Sequence, residues 1–254
     1  MNNWFTIEKL DSDTYRLCEN KYSGKPCCWL LLGAERALLI DSGTGLADIG
    51  EAVRSLTSLP VTVTLTHACF DRIGGMSCFD DTCVSCEERA WVEGKQPFTI
   101  DYIRSVIRQN LSDSPAGFDI DSYVPYSGGA ANTIEGGHVF DLGGRTVEVI
   151  STPGHTPGHM CYYDRERRYL YSGNLIHSEL LRIYDSPSAP VDYMRSIKQI
   201  LRMDIERFFA ASADTKPSFE LLGRIDNAFS AIYREGRLRS GSGLFELDGI
   251  KIEM

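Results

Sequence analysis

Thr62-Val63-Thr64-Leu65-Thr66-His67-Ala68-Cys69-Phe70-Asp71-Arg72-Ile73-Gly74-Gly75 is the stretch on which the fold turns. Val61 to Leu65 is short and mostly β-branched, as a strand should be, and it follows Pro60, which stops whatever helix precedes it. The strand delivers its last residues into a tip carrying an imidazole, a thiol, a carboxylate and a guanidinium within six positions. Side chains two apart on an extended tip can converge on one ion, and His and Cys are good zinc donors.

Working outward, Trp4 to Leu10 and Thr14 to Cys18 read as two strands across a Ser-Asp turn. Cys28 to Leu32 and Ala37 to Ile40 form a second pair, ending at Asp41-Ser42-Gly43-Thr44-Gly45. Leu46, Ile49, Val53 and Leu56 recur at helical spacing. Downstream, Ile100 to Leu111 predicts a helix, and 112–136, rich in Gly, Ser, Pro and Asp, a long loop of the kind that serves as a lid. Strands resume at His138 to Leu142 and Arg145 to Ile150, then at Met160 to Tyr163 and Tyr169 to Tyr171. Helices are expected over Asp192 to Met203 and around Phe219 to Ile232, with a closing hairpin at Asp248-Gly249. Alternating strands and helices indicate layered α/β architecture. No linker interrupts the pattern, so one domain is expected over 1–254, with an insertion or lid at about 95–136.

The 254 residues are 43% hydrophobic and carry a formal net charge of -9, which argues against a polyanionic partner such as nucleic acid. No apolar run is long enough for a membrane span. The opening MNNWFTIEKLDSD has no export pattern, and the expectation is a cytoplasmic protein. In that setting the eight cysteines favour buried thiols over a disulfide framework. Cys78, Cys83 and Cys86 have a metal-like spacing, but a strand through Thr82 to Cys86 would set residues three apart on opposite faces.

A second loop, Ser151-Thr152-Pro153-Gly154-His155-Thr156-Pro157-Gly158-His159, also follows a strand, and Pro153-Gly154 is suited to a tight turn presenting His155. With both loops in view, the order of segments resembles the metallo-β-lactamase superfamily. That resemblance implies a four-layer αββα sandwich covering nearly the whole chain. The superfamily pattern His-x-His-x-Asp-His, followed shortly by two glycines, stands here as His67-Ala68-Cys69-Phe70-Asp71-Arg72 and Gly74-Gly75. The resemblance places His67, Cys69 and His155 at a first metal, and Asp71, Arg72 and Ser212 at a second. Asn174, in Tyr171-Ser172-Gly173-Asn174, stands where the bridging aspartate belongs. Asp41 stands where the superfamily has an aspartate that buttresses the metal loops.

Arg72 is permanently cationic and cannot coordinate, and Asn174 is a poor ligand, so the pattern implies one zinc ion or none. Two functions follow. One is a divergent hydrolase of a small ester, thioester, lactone or amide. In it Asp71 orients or deprotonates water, Arg72 and Asn174 steady an anionic intermediate, and His177 is a replacement acid, base or ligand. The other is an inert, metal-free relative that binds a small molecule or a protein. A Cys69 thiolate paired with His67 or His155 is a third, zinc-free chemistry. His159 is expected to be structural, and His138 a surface residue. Tyr123, Tyr126, Tyr184 and Tyr193 are candidates to line a substrate mouth. An exposed edge strand or the insertion would support a homodimer.

Overall fold

A computed structural model describes residues 4–177, 180–183 and 190–254. Tyr184 therefore lies outside the described residues. The chain divides into two compact units. The first comprises Met1–Ile134, Phe140–Thr146 and Ser212–Asp214, and the second Glu135–Val139, Val147–Ala211 and Thr215–Met254.

The first unit is built on a seven-stranded sheet whose spatial order follows the chain, β1 to β7. β1 (Phe5–Lys9), β2 (Thr14–Glu19), β3 (Cys27–Leu32) and β4 (Ala37–Ile40) are antiparallel neighbours. β5 (Val61–Thr64), β6 (Asp81–Ser85) and β7 (Asn132–Ile134) are then added in parallel. Parallel neighbours need a crossover, and α1 (Ile49–Arg54) supplies the one between β4 and β5. Asp48 caps it by accepting from the Glu51 N–H at 3.0 Å. This helix is shorter than the apolar spacing suggested. Leu46 packs instead with Trp4, Tyr22, Phe70 and Tyr123, and with Ile103 and Ile107 of α4 (Ile100–Asn110).

Leu17, Leu30, Leu39, Val63, Leu65, Ile49 and Ile73 form the main core of this unit. Each such side chain contributes about 2 kcal/mol by leaving water. β7 arises inside the stretch read as loop. It has three residues and forms by adding to β6, with Cys83, Val84 and Ser85 opposite Asn132, Thr133 and Ile134.

Cys18 and Cys27 are directly opposed on β2 and β3 and form a disulfide, with Cα atoms 4.2 Å apart. The preference for buried thiols over disulfides is thus corrected at this pair, because strand register brings together two cysteines nine residues apart. The other six form no disulfide among the described residues. Cys83 is buried, Cys78 half-buried and Cys86 exposed, and these three form no metal group among the described residues.

In the second unit β9 (Thr146–Ser151), β10 (Met160–Asp164), β11 (Tyr169–Tyr171) and β13 (Arg207–Phe209) run in the order β13-β11-β10-β9. β8 (Val139–Asp141) leads into β9 through Gly143-Gly144. A separate small sheet joins β12 (Leu180–Arg182) to the terminal hairpin of β14 (Leu244–Leu247) and β15 (Ile250–Glu253). At the hairpin tip both Asp248 (φ 50°) and Gly249 (φ 69°) are left-handed, which is what a two-residue turn matching strand twist requires. α5 (Pro190–Ile200) and α6 (Phe219–Arg234) complete the unit. Tyr193 of α5 stacks on Phe229 of α6 with ring centres 4.9 Å apart and is fully buried. It is a core residue, not part of a substrate mouth. No helix among the described residues is long and apolar enough to cross a membrane.

Candidate metal centre

Asp41 directly follows β4 and is a non-glycine residue held at φ 62°. Its backbone N–H donates to Thr64 on the neighbouring strand at 2.8 Å, which commits its side chain to the tip beyond β5. There the Asp41 carboxylate accepts from the Thr66 N–H at 2.7 Å and from the Thr66 hydroxyl at 2.9 Å. That hydroxyl lies 3.0 Å from His67 Nδ1. A threonine hydroxyl has one proton to give, so donating to Asp41 makes it an acceptor toward the imidazole. The His67 proton then sits on Nδ1, and Nε2 is left with its lone pair. Asp41 therefore holds Thr66 and, through its hydroxyl, the His67 ring.

Cys69 precedes the one-turn helix α2 (Phe70–Ile73), and its carbonyl accepts from the Arg72 N–H at 2.9 Å. The helix is tied to the Ser42–Gly45 turn. Ser42 donates from both its N–H and its hydroxyl to the Arg72 carbonyl, each at 2.8 Å, and Gly74 N–H donates to Gly43 O at 2.9 Å. A Cβ on Gly74 would lie 2.2 Å from backbone atoms of Thr44 and Gly45, so only glycine permits this approach.

The ligand atoms of His67, Cys69 and Asp71 all lie within 4.8 Å of one another. Imidazole, thiolate and carboxylate form a zinc-type donor set, so the residues fit such an ion. The electrostatics bear on the zinc-free alternative. Burial pushes the Cys69 thiol well above its ordinary value, and Asp71 and Glu88 push it further, with only Arg72 pulling the other way. A resting thiolate nucleophile is therefore disfavoured, whereas a divalent cation would remove the thiol proton.

Arg72 is 4% exposed, pairs with Asp71 at 3.2 Å, and is held above its usual value. Burial works against its charge, but the nearby Asp71 and Asp41 more than compensate. Asp41 itself is raised to about 6, by burial first, with Arg72 and Thr66 opposing. Glu19, at the end of β2, is a further buried acid that sequence reasoning missed. It accepts from Trp4 Nε1 at 3.0 Å and from the Thr44 N–H at 2.7 Å. Burial raises its pKa while these bonds and Arg72 hold it down.

Ser212 also lies in the first unit, where its hydroxyl donates to the Gly24 carbonyl and its backbone bridges Pro26. Tyr123 is buried and donates to Thr44 O at 2.8 Å, and Tyr126 is half-buried and donates to Gly129 O at 2.7 Å. Glu88 and Gln96, both of which bond the loop backbone at Ala68, belong to no motif legible in the sequence.

His155, Asn174 and His177 belong to the second unit. His155 Nδ1 lies 3.1 Å from the Arg182 carbonyl, which can only accept. Its proton is therefore on Nδ1, and Nε2 faces the Asn174 side-chain amide at 3.3 Å. His159 Nε2 accepts from the Asn174 N–H at 3.3 Å, while its Nδ1 bonds Thr152 at 2.9 Å. His159 is thus the structural residue expected, and it fixes the Asn174 backbone. His177 is half-buried, and His138 is exposed.

The sequence profile of the metallo-beta-lactamase superfamily matches residues 26–212, and the chain belongs to that superfamily. Among individual proteins it is 26% identical over 212 residues to "Acyl-coenzyme A thioesterase MBLAC2" of Gallus gallus, covering 79% of this chain and 76% of that one. It is 25% identical to the Homo sapiens protein of the same name, with the same coverage. A solved metallo-beta-lactamase from Pontibacter korlensis superposes with a TM-score of 0.65 at 15% identity, covering 89% of this chain and 99% of the other. The fold is the metallo-β-lactamase fold.

Proposed function

We propose that the protein is a hydrolase that cleaves a thioester with the help of a single zinc ion. The observation that carries this reading is the convergence of the His67, Cys69 and Asp71 donors beside a buried arginine. Zinc, when bound, supplies Lewis acidity toward a carbonyl and toward water. The tautomer that Thr66 and Asp41 set places the His67 lone pair on Nε2. Asp71 is the partly exposed member of the group and would orient the attacking water beside the ion, with Arg72 paired to it. The same guanidinium stands ready to stabilise the oxyanion that forms on the acyl carbon.

The substrate class rests on two supports. Relatives at about one-quarter identity are named acyl-coenzyme A thioesterases. A thiol leaving group, with a pKa near 8.5, departs as a thiolate without a proton donor, so a thioester suits a site with one cation in place of a second metal. His155 enters this reading as a zinc donor on the strength of the superfamily resemblance alone.

The test is metal content by mass spectrometry on protein purified without chelator, together with acyl-coenzyme A hydrolysis followed by thiol release. About one zinc per chain is expected, lost in Cys69→Ser along with activity and lowered in His155→Ala. Less than ~0.1 zinc per chain would overturn the proposal. It would favour the metal-free binding module, for which the existing Asp71–Arg72 pair is the supporting observation.

A further inference from the structure

Ala68 stands between two metal donors, and both peptide planes that flank it are gripped from outside the loop. Its N–H, part of the His67–Ala68 peptide, donates to Glu88 Oε2. Its carbonyl, part of the Ala68–Cys69 peptide, accepts from Gln96 Nε2 at 2.8 Å. Glu88 ends the short 3-10 turn Cys86–Glu88 after β6 and is completely buried. Gln96 follows α3 (Arg89–Val92), and its amide nitrogen also lies 3.4 Å from the Trp91 carbonyl. Two carbonyl acceptors orient that amide, and its buried Oε1 finds no partner among the described residues. Leaving an acceptor unsatisfied costs about 1–3 kcal/mol, a burden that makes sense if the nitrogen is needed on Ala68.

The direction of a Cα–Cβ bond follows from the peptide planes on either side of it. Holding the plane after His67 and the plane before Cys69 therefore constrains one of the two planes that set how the imidazole and the thiol leave the backbone. Ala68 itself is fully buried in the core, so the tip cannot roll to relieve a misdirected ligand.

We propose that Glu88 and Gln96 are positioning residues for the metal centre, clamping the two peptides around Ala68 so that His67 and Cys69 present their donors to the same point. This rests on the zinc reading above. It assigns a task to the segment after β6, which the proposed chemistry does not otherwise use.

Co(II) alone is the probe, with affinity measured by chelator competition and geometry by the visible bands and the thiolate-to-Co(II) charge-transfer absorption. Glu88→Ala and Gln96→Leu should each weaken Co(II) binding about 10–100-fold and alter the bands, as loss of groups that orient ligands does elsewhere. Glu88→Gln keeps an acceptor for the Ala68 N–H and should restore affinity to within about threefold of the unaltered protein. Glu88→Gln and Gln96→Leu carry the test if Glu88→Ala does not fold. Unaltered affinity and spectra in the variants would overturn the clamp, as would Glu88→Gln binding as weakly as Glu88→Ala. Failure of the unaltered protein to bind Co(II) at all would instead overturn the zinc reading, and the clamp with it.

Discussion

Replacing Arg72 with methionine tests whether its guanidinium is the internal counter-charge of the loop. The side chain is 4% exposed, and its partner Asp71 is 23% exposed at 3.2 Å. At an effective dielectric constant of about 20 that pair is worth roughly 5 kcal/mol of attraction. Removing one partner of a buried pair costs about 3–5 kcal/mol, and the partial exposure of Asp71 argues for the lower figure. With a urea slope of about 2.5 kcal/mol per molar, a loss of about 3 kcal/mol lowers the unfolding midpoint by roughly 1.2 M.

The deficit should depend on pH in a set direction. Asp41 is raised to about 6 even with Arg72 beside it, above its ordinary 3.8. A carboxyl raised in the folded state stabilises fully below its unfolded value, and that stability is lost as pH rises through the folded value. For Asp41 the shift corresponds to about 3 kcal/mol between pH 4 and 7. Without Arg72 the Asp41 carboxyl rises further, so the variant loses stability through a higher pH range than the unaltered protein. Urea unfolding of chelator-treated protein at pH 5, 6.5 and 8 should show the gap smallest at pH 5 and largest at pH 8. An unchanged midpoint at pH 8, or a gap that widens toward pH 5, would refute the counter-charge argument.

Cys18→Ser/Cys27→Ser removes a cross-link closing a ten-residue loop and should lower stability by about 3 kcal/mol; identical urea midpoints for the two proteins would contradict this. Gly154→Ala places a Cβ 2.3 Å from the Tyr193 Cα at φ 136°, against backbone that cannot yield. A loss of about 3 kcal/mol or more is expected by calorimetry, and a change below about 1 kcal/mol would show that the Pro153-Gly154 turn does not pack on α5 as described.

The parts of the protein that the sequence disclosed are those set by local pattern or by chemistry at fixed spacing. β-branched runs announced β5, and Arg72, standing where the superfamily pattern has a histidine, announced a fixed cation beside Asp71. Apolar spacing misled where a side chain is buried for another reason. Leu46 looked helical because it is apolar, yet it serves the Trp4–Tyr22–Phe70 cluster, and Tyr193 looked available for ligand because it is aromatic, yet it stacks on Phe229. What stayed illegible depends on register and on distant partners. Cys18 and Cys27 pair only because β2 and β3 align them, and Asn132–Ile134 becomes a strand only because β6 offers an edge. Glu88 shows this most clearly. Within Cys86-Glu87-Glu88-Arg89 nothing in the sequence distinguishes it from the acidic residue beside it. Its neighbour Glu87 is indeed exposed, but the turn after β6 carries Glu88 inward to the Ala68 N–H twenty residues upstream. A buried carboxylate is stable only where a donor has been prepared for it, so its importance is written at Ala68 as much as at Glu88. Mutating either half of that contact should therefore perturb the same two donors.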